Sequence, residues 1–67
     1  MKARVFVRGG SIAIIENVNK VEAKDGFFFL YDVKESETIS GMWCYNQKAI
    51  FACDIVEKIF IVDEEVE

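Results

Sequence analysis

Apolar and polar residues alternate along the start of the chain, and this period of two constrains the fold more than any other feature. Residues 2–8 have small apolar side chains at the odd positions and mostly basic ones at the even positions (Lys-Ala-Arg-Val-Phe-Val-Arg). Such alternation is typical of a β-strand with one buried side. The Gly9-Gly10 pair that follows tolerates the positive φ angles of a tight hairpin turn, so we expect Val5 to pair with Ile14 on a return strand.

Further strand-like segments follow at close intervals, with turn signals between them. Asp25-Gly26 predicts a hairpin with a three-residue loop and Gly26 in a left-handed conformation, and Asn46-Gln47 predicts a turn. One turn of helix over residues 53–56 is the only helical segment expected. The predicted strands span residues 2–8, 11–16, 18–23, 27–33, 38–45, 48–53 and 57–62.

These segments predict an all-β fold, a small antiparallel meander of about six or seven short strands that forms a barrel or a two-layer sandwich. We expect residues 1–62 to form this single domain and residues 63–67 to form an acidic C-terminal tail. A chain of 67 residues buries only about 60% of the surface that it exposes when unfolded. It therefore encloses one small interior.

Several of the predicted strands are apolar on both sides, which one small interior cannot accommodate. The run Phe-Phe-Phe-Leu-Tyr over residues 27–31 does not alternate, and residues 42–45 and 59–62 repeat this feature. Contiguous exposed apolar patches are rare on soluble monomers and usually mark interfaces. We therefore predict a homo-oligomer, with a two-fold dimer favoured. The predicted interface residues are Phe28, Leu30, Trp43, Tyr45 and Phe60.

Alternatives to self-association remain open at this point. A tightly curled monomer can shield its second apolar face with long lysine and glutamate side chains, or a different protein can cover that face. Trp43 and Tyr45 lie two residues apart on one side of a strand. They are therefore also able to stack a planar ligand.

Charge and cysteine content argue against several classes of protein. The chain has 8 Lys and Arg residues against 12 Asp and Glu, a formal net charge of -4, which argues against a general nucleic-acid binder. No apolar stretch reaches the ~18 residues of a membrane span, and no secretory signal is evident, so we expect a cytoplasmic protein that does not bind membranes. Two cysteines are too few for the disulfide framework of a small secreted domain.

The residue types that catalysis requires are scarce. The chain has no histidine, which is the commonest general base and the commonest metal ligand. Cys44 and Cys53, separated in sequence and without histidine, do not form a zinc site. We therefore predict no enzymatic activity, no metal and no cofactor. The function predicted instead is a non-enzymatic protein-interaction module that binds or inhibits another protein.

The first hairpin supports an alternative function, the sequestration of a small anionic nucleotide-like molecule. Arg4, Phe6 and Arg8 share one side of the first strand, and Ser11 follows the turn. Two guanidinium groups beside an aromatic ring are able to hold a phosphate and stack a base, and the N–H groups of a Gly-Gly turn can add an anion nest. The competing interpretation is that Phe6 packs against a neighbouring subunit.

Two stretches resemble those of short phage- and prophage-encoded proteins. Residues 24–32 combine an Asp-Gly turn with an aromatic strand, and residues 49–62 match the apolar hairpin, with Ile and charged residues in its last strand, that ends such chains. The resemblance implies a cytoplasmic setting and a small accessory protein that blocks a host defence protein or sequesters a nucleotide messenger. It assigns a role to no individual residue.

Overall fold

Six β-strands and one 3-10 turn make up the part of the chain that the structure, a computed structural model, describes (residues 1–63). The predicted acidic tail lies outside this range except for Asp63. The strands confirm an all-β fold, and the 3-10 turn Cys53–Ile55 lies within the predicted one-turn helix. The strands are β1 (Lys2–Val7), β2 (Ile12–Glu16), β3 (Lys20–Lys24), β4 (Phe27–Glu35), β5 (Trp43–Ala52) and β6 (Val56–Val62).

The strands form two antiparallel three-stranded sheets, with the orders β2-β1-β6 and β3-β4-β5. The sheets do not close into a barrel, so the barrel alternative is wrong. The meander is also interrupted, because β6 returns to pair with β1 rather than with β5. No helix within residues 1–63 is long and apolar enough to cross a membrane.

The first hairpin differs from its predicted register by one residue. Phe6 lies opposite Ile12 and Arg4 opposite Ile14, so the predicted pairing of Val5 with Ile14 is wrong. The turn contains three residues instead of two, and Gly9 and Gly10 have φ angles of 97° and 96°. Because side chains alternate between the faces of a sheet, a shift of one residue turns the return strand over. Ile12 and Ile14 therefore point away from the core.

The second hairpin has a two-residue turn, so the predicted three-residue loop is wrong. Lys24 lies opposite Phe27, and Asp25 and Gly26 have φ angles of 55° and 82°. Positive φ at both central residues is typical of a type I′ turn, whose twist matches that of the flanking strands. The prediction that Gly26 is left-handed is confirmed.

The predicted turn at Asn46-Gln47 is wrong, because β5 runs unbroken through these residues. The nine-residue β4 is long enough to pair along β5, with Asp32 opposite Asn46. A bulge opposite Leu30 and Tyr31 takes up one extra residue of β5. The chain reverses over residues 36–42, a segment that the sequence interpretation divided between a loop and a strand.

The core lies between the inner sides of the two sheets. Among the described residues, four are fully buried: Ala3, Val5, Val18 and Leu30. Leu30 and its neighbour Phe28 were predicted at an interface, but the even-numbered side of this part of β4 faces the core, and Leu30 therefore offers no surface to a partner. The partly buried apolar residues around the four are Ala13, Ile15, Val21, Phe28, Ala49, Phe51, Val56 and Ile59.

The protein has the shape of a thin slab. Its Cα atoms span 44 × 36 × 11 Å, and 11 Å corresponds to the ~10 Å separation of two packed sheets. The radius of gyration is 13.3 Å, against about 11 Å for a compact domain of this length. A slab with one interior layer has two broad outer faces, and these are where the remaining apolar side chains lie.

Truncation of Leu30 tests this description of the core. We expect Leu30→Ala to lower the free energy of unfolding by about 2–5 kcal/mol, because it leaves a cavity at the centre of the contact between the sheets. Ile12→Ala removes an exposed side chain and should cost about 0.5 kcal/mol. Urea denaturation followed by far-UV circular dichroism measures both values, and equal losses would contradict the assignment of the core.

Candidate interaction surfaces

The outer side of the sheet β3-β4-β5 has a continuous group of aromatic and aliphatic side chains, here named the aromatic face. The Tyr31 ring stacks on Phe29 with 6.4 Å between centroids and meets Tyr45 edge-on at 5.6 Å. Both arrangements are favourable for aromatic pairs. The apolar residues of the face are Phe27, Phe29, Tyr31, Val33, Trp43, Tyr45 and Ile50.

Part of the aromatic face lies on a two-stranded ribbon that extends beyond β3. The pairing of β3 with β4 ends at Tyr31, and the Asn19 side chain then takes the place of one more strand residue. Its Nδ2 donates to the Val33 carbonyl at 3.0 Å and its Oδ1 accepts from the Val33 N–H at 2.8 Å. The end of β4 and the start of β5, with Trp43 and Tyr45, continue past this point without a third strand.

The two sides of the ribbon differ in polarity. Asp32 and Lys34 lie on the inner side, where the Lys34 Nζ is 3.5 Å from the Asp32 carboxylate. Val33, Tyr45 and Trp43 occupy the outer side. The ribbon is therefore amphipathic, and its apolar side continues the aromatic face.

The charges on the aromatic face nearly cancel. Two bases and two acids of β3 and β4 share the outer side of this sheet and sum to zero, and the exposed Lys48 lies beside them at the bulge of β5. The Glu35 carboxylate is tied to the loop, because its Oε2 accepts from the Gly41 N–H at 2.9 Å. The four charged residues are Lys20, Glu22, Lys24 and Glu35.

The outer side of the other sheet is a second apolar surface with a positive charge, here named the basic face. Arg4 lies between Ile14 and Phe60, and Phe6 lies between Ile12 and Lys58. Three bases against one acid give the face a charge of +2 on a chain whose net charge is -4. Its residues are Lys2, Arg4, Phe6, Ile12, Ile14, Glu16, Lys58, Phe60 and Val62.

Two aromatic rings and a lysine form a cluster on the basic face. The Phe6 and Phe60 rings meet edge-on with 5.7 Å between centroids. The Lys58 Nζ is 5.3 Å from the Phe6 centroid and 5.7 Å from that of Phe60. A lysine ammonium within about 6 Å of a ring face is attracted by the ring quadrupole. The cluster therefore holds a positive charge beside exposed aromatic surface.

The structure brings together only part of the predicted ligand site. Arg4 and Phe6 lie on the basic face, whereas Arg8 and Ser11 lie beyond the end of β1 in the first hairpin loop. The Arg8 N–H donates to the Ile55 carbonyl at 2.8 Å, which anchors the loop to the 3-10 turn. Lys58 was missed. The alternation of β6 places Lys58 on the same side as Phe60, but the pairing of β6 with β1 has no local signal in the sequence.

An apolar cleft of about 360 Å³ lies between β6 and the second sheet. A volume in this range accommodates a small molecule. Its two charged residues are an acid and a base adjacent in sequence, and the other five lining residues are apolar. The cleft therefore offers apolar burial. Its lining consists of Val21, Phe28, Val56, Glu57, Lys58, Ile59 and Ile61.

Comparisons with known proteins add no assignment. No protein-family model matches the chain, and neither the curated proteins nor the solved structures contain a significant match. Within residues 1–63, no group of three or more His, Cys, Asp or Glu side chains is placed to hold a metal ion. Cys44 is exposed and Cys53 half-buried, and both thiols are free.

A double-mutant cycle tests the lysine–aromatic cluster. We expect Lys58→Met and Phe6→Leu to show a coupling energy of about 0.5–1 kcal/mol, because the cation–π attraction exists only when both partners are present. Lys48→Met combined with Phe6→Leu is the control, since Lys48 lies on the other sheet. Chemical denaturation gives the four stabilities of each cycle, and the same coupling in both would refute the contact.

Proposed function

We propose that this chain is a non-enzymatic protein-interaction module that associates with itself and binds or inhibits a different protein. The observation that supports the proposal is the distribution of apolar side chains within residues 1–63. Four residues are fully buried, whereas twelve large apolar side chains are at least 40% exposed. Exposure on this scale marks interaction surfaces on soluble proteins.

The two faces fit different kinds of partner. The charges of the aromatic face nearly cancel, so it suits an apolar surface. The basic face combines apolar side chains with Arg4 and Lys58, so it suits a partner with acidic groups among apolar ones. Complementary charge raises the association rate and rejects wrong partners more than it adds affinity. The different protein is therefore assigned to the basic face.

The proposed setting is the cytoplasm. The free thiols of Cys44 and Cys53 are compatible with a reducing compartment. The resemblance to short phage-encoded accessory proteins supports the same setting. It also favours a host protein as the target.

Substitution on the basic face tests binding of a different protein. We expect wild-type protein, tagged and recovered from producing cells, to retain a partner that Ile14→Glu loses, because a new carboxylate disrupts the apolar contact and the charge of the face. Ile55→Glu is the matched control, since Ile55 lies in the 3-10 turn outside both faces. The partner recovered in this way, once purified, should bind the wild-type protein and Ile55→Glu but not Ile14→Glu. A partner set identical for all three proteins would contradict the proposal.

A second candidate function is the sequestration of a small anionic nucleotide-like molecule on the basic face. The Lys58 ammonium lies over two rings, with Arg4 on the neighbouring strand. Cation and ring together match the phosphate and the base of a nucleotide. This arrangement differs from the predicted one in that Lys58 takes the place of Arg8.

Thermal unfolding with a panel of nucleotides tests this second candidate. A ligand at about 100 times its Kd should raise the Tm by roughly 15–20 °C for a domain of this size. Arg4→Glu should abolish the shift, whereas Lys48→Glu should preserve it. An unchanged Tm across the panel, or a shift that survives Arg4→Glu, would eliminate nucleotide binding at this face.

A further inference from the structure

We propose that two copies of this chain associate through the aromatic face, with the outer side of one β3-β4-β5 sheet against that of the other. The inference rests on the self-association in the proposed function and names the surface and the partner involved. It is argued from the exposed area of the face, from its charge and from the form of the ribbon.

The aromatic face exposes enough apolar surface for a specific contact. Trp43 and Tyr45 are each 57% exposed, Ile50 48% and Phe27 44%. Since a buried aromatic side chain contributes 150–250 Å², these four expose roughly 350 Å². The half-buried Phe29 and the polar rim of the sheet add to this value. The total approaches the ~500 Å² per partner that the smallest specific interfaces bury.

Charge favours a second copy on the aromatic face and disfavours one on the basic face. The two bases and two acids of β3 and β4 sum to zero, so two copies bring together no net charge beyond that of Lys48 at the bulge of β5. On the basic face, two copies would bring two charges of +2 into contact. Like charges placed against each other cost several kcal/mol at an interface. The aromatic face is therefore the one that tolerates an identical partner.

The ribbon enlarges the apolar area of this contact. A two-stranded hairpin is marginally stable by itself in water, and within residues 1–63 no third strand pairs with the ribbon beyond Tyr31. Trp43 and Tyr45 lie on its apolar side, whereas its other side carries Asp32 and Lys34. Contact with a second copy covers only the apolar side of the ribbon. It supplies the packing that a third strand would otherwise provide. Tryptophan and tyrosine are also the residues most enriched at energetically important interface positions.

Light scattering and tryptophan fluorescence test the inference. We expect wild-type protein to reach twice the 7.7 kDa mass of one chain as concentration rises. Trp43, the only tryptophan, should shift its emission to shorter wavelength over the same range as its ring leaves water. Ile50→Glu should raise the Kd at least about 30-fold, because it places an unpaired carboxylate in the contact.

Ile14→Glu is the matched control, since Ile14 lies on the basic face with nearly the same exposure, 51% against 48% for Ile50. It should leave the dimer unchanged. If Ile50→Glu loses its far-UV circular dichroism signal, Tyr45→Glu on the ribbon replaces it as the deciding variant.

The outcomes separate the inference from the proposed function. A wild-type mass of 7.7 kDa at every concentration would overturn self-association itself. A dimer that is lost in Ile14→Glu would overturn only the choice of face. A dimer that persists in Ile50→Glu and Tyr45→Glu would do the same. In that last case, hydrogen exchange would show whether the β5 amides that point away from β4 are protected. Their protection would place the contact at the β5 edge of the sheet.

Discussion

The fold depends on one constraint, that two three-stranded sheets share a single interior layer. Across a slab 11 Å thick, each strand can present only one of its sides to that layer. Small residues of β1 and Leu30 of β4 fill its centre, and each strand's other side faces outward whatever its sequence. In most proteins of this shape the outward side is polar. Here it is largely apolar on both sheets, and this is why the chain has two candidate interaction surfaces instead of one.

The length of the first turn determines which side chains lie on the basic face. With two turn residues, Ile12 and Ile14 would have joined Val5 in the core. With three, they lie outside beside Arg4 and Phe6. The inner side of β2 then presents Ala13 and Ile15, which pack against the buried core residues. The same turn therefore enlarges the basic face.

Local patterns in the sequence predicted most of the strands and the apolar excess, because these depend on neighbouring residues. The Asp25-Gly26 turn has a strong signal of this kind, and its left-handed conformation is confirmed. The partner of β6 has no such signal, since β1 and β6 lie at opposite ends of the chain. Lys58 was therefore not predicted as part of the ligand site, although Phe6 and Arg4 were. The Asn46-Gln47 turn failed for a related reason, because a polar pair in a strand is tolerated when a long partner such as β4 supplies hydrogen bonds on one side.

The charges divide the two outer faces more sharply than the hydrophobicity does. Both faces have aromatic and branched aliphatic side chains. Burial of apolar area alone therefore does not determine which partner binds to which face. Electrostatics then discriminates, because a face whose charges nearly cancel tolerates its own copy better than a face of charge +2 does. In the proposed dimer the basic face would therefore stay free. A dimer joined through the aromatic faces would carry two basic faces on its opposite outer sides, and a partner or ligand with repeated acidic groups would meet them with the avidity of two sites.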